Sequence, residues 1–147
     1  MIQRTVALCL VLLAIAVQPA AAQSDEDVDG KIEQLLGSSE GFADSFKLLT
    51  EAMRYGDPVT VADLAEYPLT VHANGEVYDL QSAKDLLDNY DTLITQATQT
   101  AVAEQEYSDL FINGDGVMFA RGAVWMTLVC EDDACEQSHW AINAINN

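Results

Sequence analysis

The sequence predicts an α+β domain behind a removable leader, and three observations carry that reading. Apolar residues recur at helical spacing through the first part of the domain, at Phe42, Phe46, Leu49 and Met53 and again at Leu86, Tyr90, Leu93 and Ala97. An Asn74-Gly75 pair separates two alternating runs, a strong signal for a two-residue hairpin. From Asp109 onward the chain is rich in β-branched and aromatic residues interrupted by glycine turns, which reads as consecutive strands.

The leader comes first. Residues 1–22 combine Arg4, an unbroken apolar run from Val6 to Val17, and Ala20, Ala21 and Ala22 behind Pro19. That order is a secretory signal, with a cut expected between Ala22 and Gln23. The run is too short for an anchor, which needs roughly 20 apolar residues, and Leu8 before Cys9 is not the small residue that lipidation would want. The expectation is a periplasmic or secreted protein with no membrane insertion after processing.

Residues 23–38 read as a flexible, acidic mature N-terminus. Asp25-Glu26-Asp27-Val28-Asp29-Gly30 matches the first half of a calcium loop, but Leu36 occupies the twelfth position, where a bidentate carboxylate is needed. No metal is assigned there, and only a short helix from Lys31 to Leu36 is expected.

A single folded domain then spans 39–147. Its first helix runs from Glu40 to Tyr55 behind Ser38 and Ser39 and closes at Gly56. Asp57-Pro58 starts a second with a capping carboxylate and a proline in the first turn, and Pro68 ends it. Counting outward from Asn74-Gly75 pairs Val71 with Tyr78 and Leu69 with Leu80 on one apolar face, leaving Thr70, His72, Val77 and Asp79 on the other. Ser82-Ala83-Lys84-Asp85 is a capping-box start for a helix, or a broken pair of helices, that reaches Glu104. The strands that follow are Asp109 to Asn113, Val117 to Cys130 with a bulge at Gly122, and Gln137 to Asn146. A regular hairpin closed at the cysteines sets Trp125 opposite Trp140 on one face and Met126 opposite His139 on the other.

Cysteine use agrees with export. Cys9 leaves with the leader, and Cys130 and Cys135, with four polar or small residues between them, are expected to form a disulfide across a hairpin loop. A redox site would want C-x-x-C beside a strand-to-helix turn, and Glu131, Asp132, Asp133 and Glu136 would hold a thiol pKa up.

The chain carries 24 acidic against 6 basic residues, a net charge of −18, and loss of Arg4 with the leader makes it −19. Nucleic acid and anionic membranes both require a basic patch, so both are excluded as partners. The acidic surface serves solubility or attracts a cationic protein. His72 and His139 lack zinc-ligand spacing, and no G-x-S-x-G elbow is present. The glycines of Asn113-Gly114-Asp115-Gly116 join two strands, so they do not cradle a phosphate. No cofactor is expected.

Certain local stretches carry a resemblance: Ala65-Glu66-Tyr67-Pro68-Leu69, Asn89-Tyr90-Asp91, Leu110 to Gly116, and Gly122-Ala123-Val124-Trp125-Met126. With the element order, they make the chain from Phe42 to Ile145 similar to the nuclear transport factor 2-like superfamily, in a branch of small exported bacterial proteins. Ketosteroid isomerases and polyketide-cyclase-like proteins share that fold. The resemblance implies a cone-shaped curved antiparallel sheet wrapped by N-terminal and central helices, here with a disulfide-closed C-terminal hairpin, and a cavity on the concave side. Enzymes of this fold use a carboxylate or histidine base and a tyrosine or acid donor there. His139 and Tyr78 are the candidates for such roles. Arg121, Met126, His139, Tyr78 and Tyr90 are the candidate ligand contacts, and Trp125 and Trp140 the candidate dimer interface. Three functions follow as expectations. The first is a non-enzymatic exported module binding a small apolar ligand or a partner, including a second copy. The second is a lyase or isomerase of the ketosteroid isomerase or polyketide-cyclase type. The third is an acidic inhibitor or immunity protein for a cationic exported protein. Fold alone decides among none of them.

Overall fold

A computed structural model describes residues 23–147, so the leader read at 1–22 lies outside the described residues. The segment expected to be flexible is instead ordered as helix α1, Asp25–Leu36. Ser24 caps it: the Ser24 hydroxyl accepts from the Asp27 backbone N–H at 3.2 Å, and the Asp27 carboxylate accepts from the Ser24 N–H at 2.9 Å. The acidic first turn sits at the positive end of the helix dipole. Val28 and Ile32, one turn apart, are fully buried, and the Tyr107 hydroxyl donates to Asp29 at 2.5 Å. Acidic composition misled the sequence reading here, because two apolar residues on one face are enough to dock a capped helix.

Helices α2, Phe42–Tyr55, and α3, Pro58–Asp63, follow the predicted stripe and the predicted Asp57 cap. Strands β1, Ala65–Ala73, and β2, Glu76–Leu80, form the Asn-Gly hairpin, with Leu69 opposite Leu80 and Val71 opposite Tyr78 as counted. The central helical stretch is a broken pair, α4 at Ala83–Leu93 and α5 at Gln96–Ala103, parted where Thr95 leaves the helix to cap α5. Four strands complete the fold: β3, Phe111–Asn113; β4, Gly116–Phe119; β5, Val124–Cys130; and β6, Ser138–Asn146.

The six strands form one curved sheet in the order β2-β1-β6-β5-β4-β3. It is α+β as predicted, but the sheet is mixed and not wholly antiparallel. The final strand inserts beside the first, and β6 runs parallel to β1. Buried residues of helices α1 to α5 join the inner-face residues of the strands in one core, with Phe42 and Phe119 among its largest members. One face of the sheet is therefore lined by helices and the other is left open.

Two local expectations are corrected. Val117 to Cys130 is not one bulged strand but a hairpin, β4 to β5, turning through Ala120, Arg121 and Gly122, which all have positive φ (47°, 59° and 98°). Only Gly122 signalled the turn, and alanine and arginine rarely adopt that conformation. The cysteine hairpin is also longer than four residues. Cys130 pairs with Ser138, and the Glu131 N–H donates to Gln137 O at 2.8 Å, so the loop has seven residues from Glu131 to Gln137. That slip of three positions sends alternate side chains to opposite faces. Trp125 lies opposite Ala144, Met126 opposite Ile142, Leu128 opposite Trp140 and Val129 opposite His139. The Cys130–Cys135 disulfide itself is present.

Candidate functional site

The register places one residue from each strand in a continuous row across the open face: Phe111, Met118, Trp125, Ala144, Thr70 and Asp79. Phe111 is 52% exposed, and Met118, Trp125 and Ala144 are half-buried. Beside Thr70, His72 lies between Val77, 61% exposed, and Asn146. The only charge in the row is Asp79 at the β2 edge, where it accepts from the Thr70 hydroxyl at 3.0 Å. In a chain with 24 acidic residues, this row carries no carboxylate from Phe111 to Thr70. The Trp125 indole N–H has no acceptor among the described residues.

Trp140 does not share this face. Its side chain points into the core, 4% exposed, edge-on to Phe42 with centroids 4.7 Å apart, and its indole N–H donates to Glu40 O at 3.0 Å. The predicted interface pair is thus split between the two sides of the sheet.

The other candidates separate in the same way. Met126 is fully buried among core residues, and Tyr90 is buried with its hydroxyl directed at Met53 Sδ, 3.7 Å away. Burial pushes the Tyr90 hydroxyl up to about 12. Tyr78 reaches the sheet edge, where its hydroxyl donates to Glu76 at 3.0 Å; that bond raises its pKa above 10.0. His139 is exposed on the open face, its Nδ1 3.0 Å from Glu131 and its Nε2 3.4 Å from Glu66. Both ring nitrogens are therefore engaged at the surface, and His139 and Tyr78 are not brought together as a base and a donor.

Two clefts flank the sheet. One, about 530 Å³, separates the start of α2 from the disulfide hairpin and is lined by Glu40, Ser45, Glu131, Glu136, His139 and Trp140. The other, about 470 Å³, lies between the end of α5 and the β4–β5 turn and contains Arg121. That turn is held on both sides: Gln105 Oε1 accepts from the Ala120 N–H at 2.8 Å, and Asn146 Nδ2 donates to Gly122 O at 2.7 Å. Arg121 was singled out from the sequence as a central-strand residue, but it stands at a hairpin tip. Phe111 and Met118 were missed, because their membership of the outer row is set by cross-strand register and not by any local motif.

No family profile matches this chain, and no curated protein or solved structure does so.

Proposed function

We propose that the protein is an exported, non-enzymatic binding module of the nuclear transport factor 2-like fold, working through the open face of its sheet, and that a second copy is the partner it binds. The observation that carries the reading is the uncharged row from Phe111 through Met118 and Trp125 to Ala144. Interface centres are depleted in charge and enriched in tryptophan, phenylalanine and methionine. The face is about 24 Å wide across six strands and about 30 Å long along β6, but β3 and β4 have only three and four residues, so the patch falls at the small end of specific interfaces. Two-fold pairing sets the same patch against itself. That favours the uncharged strip, because anywhere else two acidic copies would repel. The helical order, the Asn-Gly hairpin and the return of β6 to β1 support the family reading. The Cys130–Cys135 disulfide supports export.

The test is light scattering on purified protein lacking the leader. Wild type runs as a dimer at micromolar concentration, and Trp125→Ser and Phe111→Ser run as folded monomers. A monomeric wild type, or variants that stay dimeric, overturns the proposal.

A further inference from the structure

We infer that the cleft between α5 and the β4–β5 turn is a second binding site, bordering the sheet face at Met118, and that it takes small zwitterions: free amino acids or short peptides. Arg121 stands on one wall, and Glu104, Glu106 and Asp109 line the same cleft, with Ala101 and Met118 giving it apolar surface. Despite three carboxylates in one cleft with it, Arg121 makes no salt bridge among the described residues. Opposite charges that share a cleft without pairing leave room for a ligand between them. Its volume of about 470 Å³ falls in the range of small-molecule sites.

The charge arrangement selects the ligand class. A simple anion gains Arg121 but meets three carboxylates on a chain of net charge −18. A simple cation gains the carboxylates and leaves the guanidinium unpaired. Glu104 and Glu106 follow the C-terminal end of α5, the negative end of its dipole, where a carboxylate is disfavoured and a bound ammonium favoured. A molecule carrying both an ammonium and a carboxylate satisfies both walls, and the planar guanidinium suits a carboxylate through two parallel hydrogen bonds. The backbone of the site is held in place: Gln105 and Asn146 fix the turn on either side of Arg121, and Arg54 Nη2 donates to Ala103 O at 2.6 Å, anchoring the end of α5.

The experiment is a titration of ¹⁵N-labelled protein followed by NMR, with alanine, alanyl-alanine, N-acetylalanine and alanine amide as probes. Alanine or alanyl-alanine should give saturable shifts at Ala101, the Gln105 side chain and Arg121 Nε. The probe with a blocked amine and the one with a blocked carboxylate should each bind at least about tenfold more weakly, the loss of one charge-assisted contact. Arg121→Gly should abolish binding in a folded protein, because glycine suits the left-handed backbone there. Phe111→Ser, at a residue of the sheet face that does not line the cleft, should leave binding intact, which separates this site from the sheet-face reading. Absence of saturable shifts, equal binding of N-acetylalanine, or retained binding in Arg121→Gly overturns the inference.

Discussion

Replacing Trp140 with serine should cripple the fold and not merely release a dimer. The indole is 4% exposed, packs edge-on against Phe42 at 4.7 Å and donates to Glu40 O at 3.0 Å. Removing a buried tryptophan costs about 3–5 kcal/mol through lost transfer energy and the cavity left behind. The orphaned Glu40 carbonyl borders an open cleft, so water can replace its donor and that loss adds little. We expect about 4 kcal/mol, out of a total near 5–15 kcal/mol for a domain of this size. With an unfolding entropy of about 2.1 cal/mol/K per residue, this lowers the midpoint by about 15 °C. Thermal and urea unfolding followed by circular dichroism read both quantities. Trp125→Ser, on the open face, should cost less than about 1 kcal/mol under conditions where the protein is monomeric. A Trp140 variant that unfolds within about 1 kcal/mol of wild type would refute the assignment of this residue to the core, and with it the observed hairpin register.

Three further outcomes follow from the same geometry. Gly116→Ala should destabilise by at least about 3 kcal/mol, because a Cβ there would lie 2.3 Å from Met126 O and the φ of 146° suits only glycine; urea midpoints measure it. Arg121→Gly should raise stability by about 0.5–1 kcal/mol by relieving a left-handed arginine at φ 59°, seen as a higher thermal midpoint. Asp132 is held below 3.8 by backbone N–H groups of Glu136, Gln137, Ala134 and Cys135, with Glu136 the leading cause. A depressed carboxylate gives stability that is present above its unfolded pKa and lost as pH falls through its folded pKa. Asp132→Asn should therefore flatten the acid limb of the stability profile below about pH 4 and leave its slope near neutrality unchanged.

Much of the fold was legible because its signals are local. Asn74-Gly75 set the first hairpin and its register, and the Asp57-Pro58 cap and the spacing from Phe42 to Met53 placed two helices. The disulfide was expected from two cysteines behind a segment that reads as an export signal. What failed depended on backbone conformations that side chains announce poorly. The turn at Ala120-Arg121 is built from residues that seldom take positive φ, and it persists because Gln105 and Asn146, remote in sequence, hold it. The seven-residue loop is organised by Asp132, which accepts from the N–H groups of Ala134, Glu136 and Gln137. A cysteine-to-cysteine count could not show that. Since side chains alternate, this single slip exchanged the inner and outer assignments of Trp140 and divided the proposed tryptophan pair. The parallel pairing of β1 with β6 joins the first strand to the last, and no neighbouring residues encode it.

The proposed pairing of two copies through the open sheet face is tested most directly by the surroundings of Trp125. The protein has two tryptophans, and Trp140→Phe keeps an aromatic ring against Phe42 while leaving Trp125 as the sole indole emitter. Acrylamide quenching of this variant is to be measured from low to high micromolar protein, with the mass followed in parallel by sedimentation equilibrium. Quenching of Trp125 should fall in step with the doubling of mass. A doubling of mass with unchanged quenching would place the contact elsewhere, and a constant monomer mass would contradict the account outright.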